Sequence, residues 1–139
     1  MTEQTRTSTI AEVAAATGLT PHTLRYYERD GLLLDAVARS TSGHRRYTER
    51  DVAWLHLLTR LRATGMPVRD IRAYADLVRA GDGTEPARLA MLEAHRDRVL
   101  AELAEVRAHL AGIELKIDVY AGRLGSGDPV PEDAARAAG

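Results

Sequence analysis

Between Leu89 and Leu124 the chain places one residue at each of a series of alternating steps of three and four: Leu89, Leu92, Arg96, Val99, Leu103, Val106, Leu110, Ile113, Ile117, Tyr120 and Leu124. All but Arg96 are apolar. Such steps make a heptad pattern, carried over five repeats here, and a heptad pattern belongs to a helix with one apolar seam. A helix from about Pro86 to Arg123 would be about 57 Å long, too long to fold back within a chain of 139 residues. The seam needs a partner, and the simplest partner is a second copy. Leu92, Val99, Leu103, Val106, Leu110, Ile113, Ile117 and Tyr120 are the expected dimerisation residues. The competing arrangement packs the seam onto the N-terminal helices of its own chain. Arg96 interrupts the seam once, as a register or orientation device does. His95 and His109 flank it on one side, which reads as a helix edge and not as a metal site.

Composition narrows the chemistry. The chain has no cysteine, which removes disulfides, zinc-thiolate sites and thiol redox reactions together. The start, MTEQTRTSTIAEV, has no apolar run of signal length, and no segment approaches the roughly 20 apolar residues of a membrane span, so a cytoplasmic location is expected. Net charge is only −1, but it is unevenly spread. Residues 1–79 carry twelve arginines against nine acids, or +3, and residues 80–139 carry seven basic against eleven acidic side chains, or −4. A basic half beside an acidic half suits a chain that meets phosphate with one part only, although a solvated helical surface can give the same balance.

The basic half reads as short helices and one hairpin. Ile10, Val13, Ala14 and Thr17 share a helix face, with Thr9 as N-cap and Gly18 as the left-handed stop. Thr20 then caps a second helix that starts at Pro21 and is closed by Gly31. Two helices joined through a glycine turn are a helix-turn-helix candidate. Ser42-Gly43 is a turn between two short stretches that can pair as strands, and a hairpin in this place is a wing. Thr48 with Asp51 opens a third helix that ends at Gly65, and Pro67 begins a fourth bearing Val68, Ile71, Ala75 and Val78. The expected fold is mainly α: a winged helix-turn-helix domain over 8–80, a linker over 81–85, the coiled-coil helix over 86–124 and a mobile tail over 125–139. Trp54 and Tyr74 belong in the core, the alternative being the wall of an effector pocket between the fourth helix and the long one.

The stretch TGLTPHTLRYYERDGLL carries the first candidate site. Thr20, His22 and Thr23 occupy the start of the second helix and Arg25 and Tyr26 follow, as donors on the element that reaches base edges in a major groove. Tyr26 and Tyr27 are about 100° apart, so one packs inward with Leu24 while the other can meet a phosphate. The hairpin sequence SGHRRY sets His44, Arg45, Arg46 and Tyr47 beside the turn with Arg39 on the opposite strand, poor core material that fits a sugar-phosphate backbone. Solvated arginines on an ordinary amphipathic helix are the plainer alternative for the helix taken alone, and the hairpin beside it shifts the weight away from that alternative.

TIAEVAAATGLTPHTLRYYERDGLL, SGHRRYTERDV and LTRLRATGMPVRDI, in that order and spacing, resemble the N-terminal half of the MerR family of transcription regulators. The likeness covers about residues 8–78, and MLEAHR and KIDVY in the long helix resemble the dimerisation region of small members. The resemblance implies a homodimer with antiparallel long helices and two winged domains on a palindromic, double-stranded promoter site. Such dimers occupy an overlong spacer between promoter elements, bend and untwist it, and thereby let RNA polymerase engage when an effector is bound. On matching positions it implies DNA contacts by His22, Thr23, Arg25, Tyr26, Arg45, Arg46 and Tyr47, with Arg60 and Arg62 as further candidates, while Leu24 and Tyr27 hold the domain together.

The chain departs from the family's metal, iron-sulfur and electrophile sensors, which depend on cysteine. It also stops before the large C-terminal domain that drug-sensing members carry. No cofactor or metal is expected, and a small-molecule effector, if one acts, is not legible. No phosphate loop, cysteine nucleophile or Ser/His/Asp set suggests an enzyme. Two other classes stay open: an architectural DNA-binding protein without effector, and a coiled-coil adaptor that binds protein.

Overall fold

A computed structural model of the chain describes residues 6–126. Its elements run β1 (Thr7–Ser8), α1 (Ile10–Thr17), α2 (Pro21–Arg29), β2 (Ala38–Arg39), β3 (Arg45–Thr48), α3 (Glu49–Ala63), α4 (Val68–Ala80) and α5 (Glu85–Ser126). Two compact units divide between His95 and Arg96, so the first turns of α5 belong to the N-terminal unit.

The helix starts follow from local chemistry. Thr9 and Thr48 each accept the backbone N–H three residues on, and Glu12 and Asp51 reach back to the cap N–H, so both helices open with a complete capping box. Thr20 accepts the Thr23 N–H, with Pro21 at the first helical position. Gly18 ends α1 at φ 74°, a left-handed conformation that a side chain disfavours, and lets α2 start at once. The hairpin turns through Gly43, whose N–H donates to the Ser40 carbonyl at 2.9 Å.

The sheet has the order β1-β3-β2, antiparallel throughout. Thr7 pairs with Thr48 and Ser8 with Tyr47 on one side, and Ala38 pairs with Arg46 and Arg39 with Arg45 on the other. The expected hairpin is present, and β1 is an addition to it. The strand at Thr7–Ser8 makes β3 central and packs it against α1 and α3.

Val13, Leu24, Tyr27, Leu55, Leu58 and Ile71 are buried in one cluster, joined by the run Leu32 to Leu34 after α2. Trp54 lies in this core: its ring stacks on Tyr74 at 5.7 Å between centroids and 5° between planes, and its indole N–H donates to the Leu32 carbonyl at 2.7 Å. Beside the two rings is an open groove of about 600 Å³, bordered by Val78, Arg50 and Arg88. Arg79 of α4 fastens the loop after α2 by donating to the carbonyls of Gly31, Leu33 and Leu34.

Three expectations can be set beside the structure. The winged domain expected over 8–80 lies within a compact unit that runs on to His95. Leu92, expected in the dimer seam, is half-buried against the core of its own chain together with Met91, because the first turns of α5 cover that core. The long helix is α5 from Glu85 to Ser126, which leaves residues 81–84 as the connection and takes in Gly125 and Ser126. The remainder of the expected tail, 127–139, lies outside the described residues.

In the second unit, Leu103, Val106, Leu110, Ile113, Ile117 and Tyr120 are 40 to 61% exposed. Val99 is half-buried.

Candidate nucleic-acid interface

Helix α2 sets His22, Arg25 and Arg29 on one strip, because steps of three and four return to the same helix face. With Glu28 of the same helix and Arg45 of β3, they line a cleft of about 460 Å³. Thus α2 and the hairpin contribute to one surface. Arg25 and Arg29 form no ion pair among the described residues, which leaves both cations available to an incoming anion.

The hairpin arginines are held in place. Arg45 Nε lies 2.5 Å from Glu28 Oε2, and Arg39 Nη2 lies 3.9 Å from the other carboxylate oxygen. Arg39 also donates to the Gly43 carbonyl at 3.1 Å, bracing the hairpin tip. Arg46 faces the opposite way from Arg45, as alternation along a strand requires, and donates to Thr7 Oγ1 and to the Thr7 carbonyl at 3.0 and 3.1 Å. Its bonds fasten β1 to β3. Exposed His44 marks the hairpin tip.

At the start of α2 the Thr20 hydroxyl donates to Thr23 Oγ1 at 2.9 Å while capping the helix. Tyr26 is 38% exposed, and its ring tilts 53° against that of buried Tyr27. Leu24 is buried as well. Arg60 and Arg62 are exposed on α3 and do not line the cleft; Arg62 donates to the Met66 carbonyl at 2.9 Å and closes the turn after its helix.

Tyr47 is the clear departure from expectation. It is fully buried, so it cannot lie against a DNA backbone. The pleat of β3 explains this: with β1 and β2 on its two sides, its inward residue at 47 enters the core between the sheet, α1 and α3. Burial is the main reason its phenol titrates above the ordinary value; Glu28 and Asp51 push the same way and Arg45 and Arg25 oppose them. Burial likewise raises Tyr27. A phenol raised on folding contributes stability that is fully present below its unfolded pKa and is lost as pH rises above it. Stability should therefore fall above about pH 10, and Tyr47→Phe should lessen the fall. Thermal melts at roughly pH 8 to 11 read this directly; equal slopes for the two proteins would mean that Tyr47 ionises freely in the fold.

Glu28 and Arg29 are members of the cleft that the motif reading passed over. The spacing of Arg29 from His22 and Arg25 was a usable signal, whereas the partner of Glu28 is 17 residues away and has no local signature. His95 is buried, not on an open helix edge: its Nε2 lies 2.8 Å from Thr64 Oγ1. The Thr64 hydroxyl also lies 2.8 Å from the Arg60 carbonyl, so it joins the imidazole to the last turn of α3. His109 is exposed. Among the described residues, no group of three or more His, Asp or Glu side chains is placed to hold a metal ion, and no helix is long and apolar enough to cross a membrane.

Residues 8–77 match the family model described as MerR HTH family regulatory protein, and residues 52–115 match that described as MerR, DNA binding. A helix-turn-helix-type transcriptional regulator of Haemophilus influenzae, itself uncharacterised, is 38% identical over 114 residues, covering 82% of this chain and 84% of the relative. The helix-turn-helix-type transcriptional regulator AdhR of Bacillus subtilis is 41% identical over 91 residues, covering 66% and 64%. The crystal structure of HiNmlR, a MerR family regulator lacking the sensor domain, bound to promoter DNA, aligns with a TM-score of 0.80 at 36% identity, covering 88% of this chain and 92% of that one. With the capped helix pair, the hairpin and the long helix in the same order, the chain belongs to the MerR family of helix-turn-helix transcriptional regulators.

Proposed function

We propose that two copies of the chain pair antiparallel through the exposed α5 seam and set their two α2-and-hairpin surfaces on the halves of a palindromic promoter site. The strip of Arg25 and Arg29, with His22 on the same face and Arg45 beside it, is the observation that carries this reading. The start of α2 enters the major groove, and the hairpin, with His44 at its tip, follows the adjoining backbone. By bending and untwisting a long promoter spacer the dimer controls access of RNA polymerase in the cytoplasm. The deformation costs several kcal/mol, so an effector with a modest preference for one dimer conformation is enough to switch transcription. That effector is a small molecule recognised without thiolate chemistry, because the chain has no cysteine.

A footprint on the DNA upstream of the chain's own gene and its neighbours, across a salt series, tests the proposal. Protection of one palindrome between promoter elements, with hypersensitive bases at its centre, is expected. A folded dimer with no site-selective protection would move the function to an adaptor or an architectural protein. Arg25→Ala should weaken binding to the protected site by about 1–3 kcal/mol per half-site and flatten the salt dependence, with dimerisation intact. Unchanged affinity in a titration of that variant would take α2 out of the interface.

A further inference from the structure

We infer that Glu28 is a specificity-determining residue: through its hold on Arg45 it lowers affinity for arbitrary DNA more than affinity for the chain's own operator. The inference rests on the reading of α2 and the hairpin as the DNA face.

Among the described residues, Glu28 is the one carboxylate in a cleft otherwise lined by His22, Arg25, Arg29 and Arg45. A surface shaped only to hold phosphate would gain by losing it. Yet it is the ion-pair partner of Arg45 at 2.5 Å, with each side chain about three-quarters buried, so solvent and salt screen the pair less than an open surface pair. Arg39 leans on the same carboxylate at 3.9 Å. Glu28 thus stands in the DNA-free protein where a phosphate would otherwise draw the hairpin arginines.

The contact is made through Nε. A guanidinium carries five N–H donors in a planar fork, and the carboxylate takes one edge of it. The remaining Nη donors can bond a phosphate on the cleft side while Nε stays with Glu28. Such a three-part contact needs the backbone at one distance and direction. A docked operator provides that, because base contacts along α2 set the register. On arbitrary DNA the phosphates arrive in many registers, and Arg45 must leave Glu28 to meet them. The carboxylate is then stranded beside the phosphates, and Arg45 contributes little as a counter-charge.

Anisotropy titrations of the full chain across a salt series test this. The probes are a duplex selected from a random-sequence pool and the same duplex scrambled. For Glu28→Gln, affinity for the scrambled duplex should rise about 3- to 10-fold and its salt slope should steepen by about one unit, with operator affinity within about twofold. The gain should vanish when Arg45→Ala is also present. An unchanged ratio of the two affinities for Glu28→Gln would overturn the inference, as would an equal gain in the Arg45→Ala background, which would make Glu28 a general repulsive charge. Glu28→Asp keeps the charge but falls a methylene short of Arg45, so it should show part of the gain seen with Gln; wild-type selectivity would count against the inference. Arg45→Ala alone separates the two levels. If it weakens binding to the selected duplex, the DNA face stands whatever Glu28 does, and if it leaves that binding unchanged, the reading of that face fails.

Discussion

Trp54→Ala is expected to destabilise the N-terminal unit by about 3–5 kcal/mol, the range for emptying a buried aromatic site. Three losses combine. The indole leaves a cavity in the buried cluster, where the side chain is almost wholly buried. Tyr74 loses the ring on which it stacks. The Leu32 carbonyl loses its indole donor, at a further cost of about 1 kcal/mol or more if it stays buried. Against a typical total of 5–15 kcal/mol this is a large fraction of the fold. Trp54→Phe keeps most of the packing and should retain most of the stability. Since the chain has a single tryptophan, urea unfolding is best followed by circular dichroism. If Trp54→Ala cost less than about 1 kcal/mol, the ring would be the wall of a ligand groove and not a structural member, which would return interest to the groove beside Val78 and Arg88.

The features that could be read in the sequence are those whose partners lie within one helical turn. Thr9, Thr20 and Thr48 each cap through a bond to the residue three positions on, so side-chain type and spacing suffice to find them. The steps along α4 and α5 are of the same kind. Legibility fails where the partner is remote. The strand at Thr7–Ser8 exists only because β3 lies beside it, some forty residues later, and two residues carry no period. Without β1 nothing in the RRY sequence says which side chains of the strand turn inward; its pairing sends Tyr47 into the core and Arg46 to Thr7. Arginines read as open to phosphate proved to have partners of their own, and for Arg45 that partner lies on the helix expected to read bases. Leu92 falls on the heptad period, but the period does not say which surface covers it.

The second large effect lies in the α5 seam. Leu110→Asp together with Ile113→Asp should leave the chain a monomer at concentrations where the proposed wild-type dimer forms. Both side chains are about half exposed in the single chain, so the substitutions remove no packing from the folded protomer. In the proposed dimer each occurs twice, and each would bury a carboxylate against apolar side chains of the other copy. A penalty of a few kcal/mol per carboxylate is enough to raise the dissociation constant a thousandfold or more, about 4 kcal/mol. Two further readouts separate this from local unfolding. The N-terminal unit, whose core ends with the turns of α5 up to His95, should melt as before. Helix content should fall, because among the described residues the helix beyond Arg96 has no other apolar partner in its own unit and an isolated helix is marginal in water. Operator binding should weaken far more than any cleft substitution achieves, since one winged domain meets one half-site without the other to hold it in place. Sedimentation of the double variant decides the matter. A dimer of unchanged affinity would mean that Leu103, Leu110 and Ile117 face something other than a second copy, and that the two DNA surfaces are brought together elsewhere on the chain.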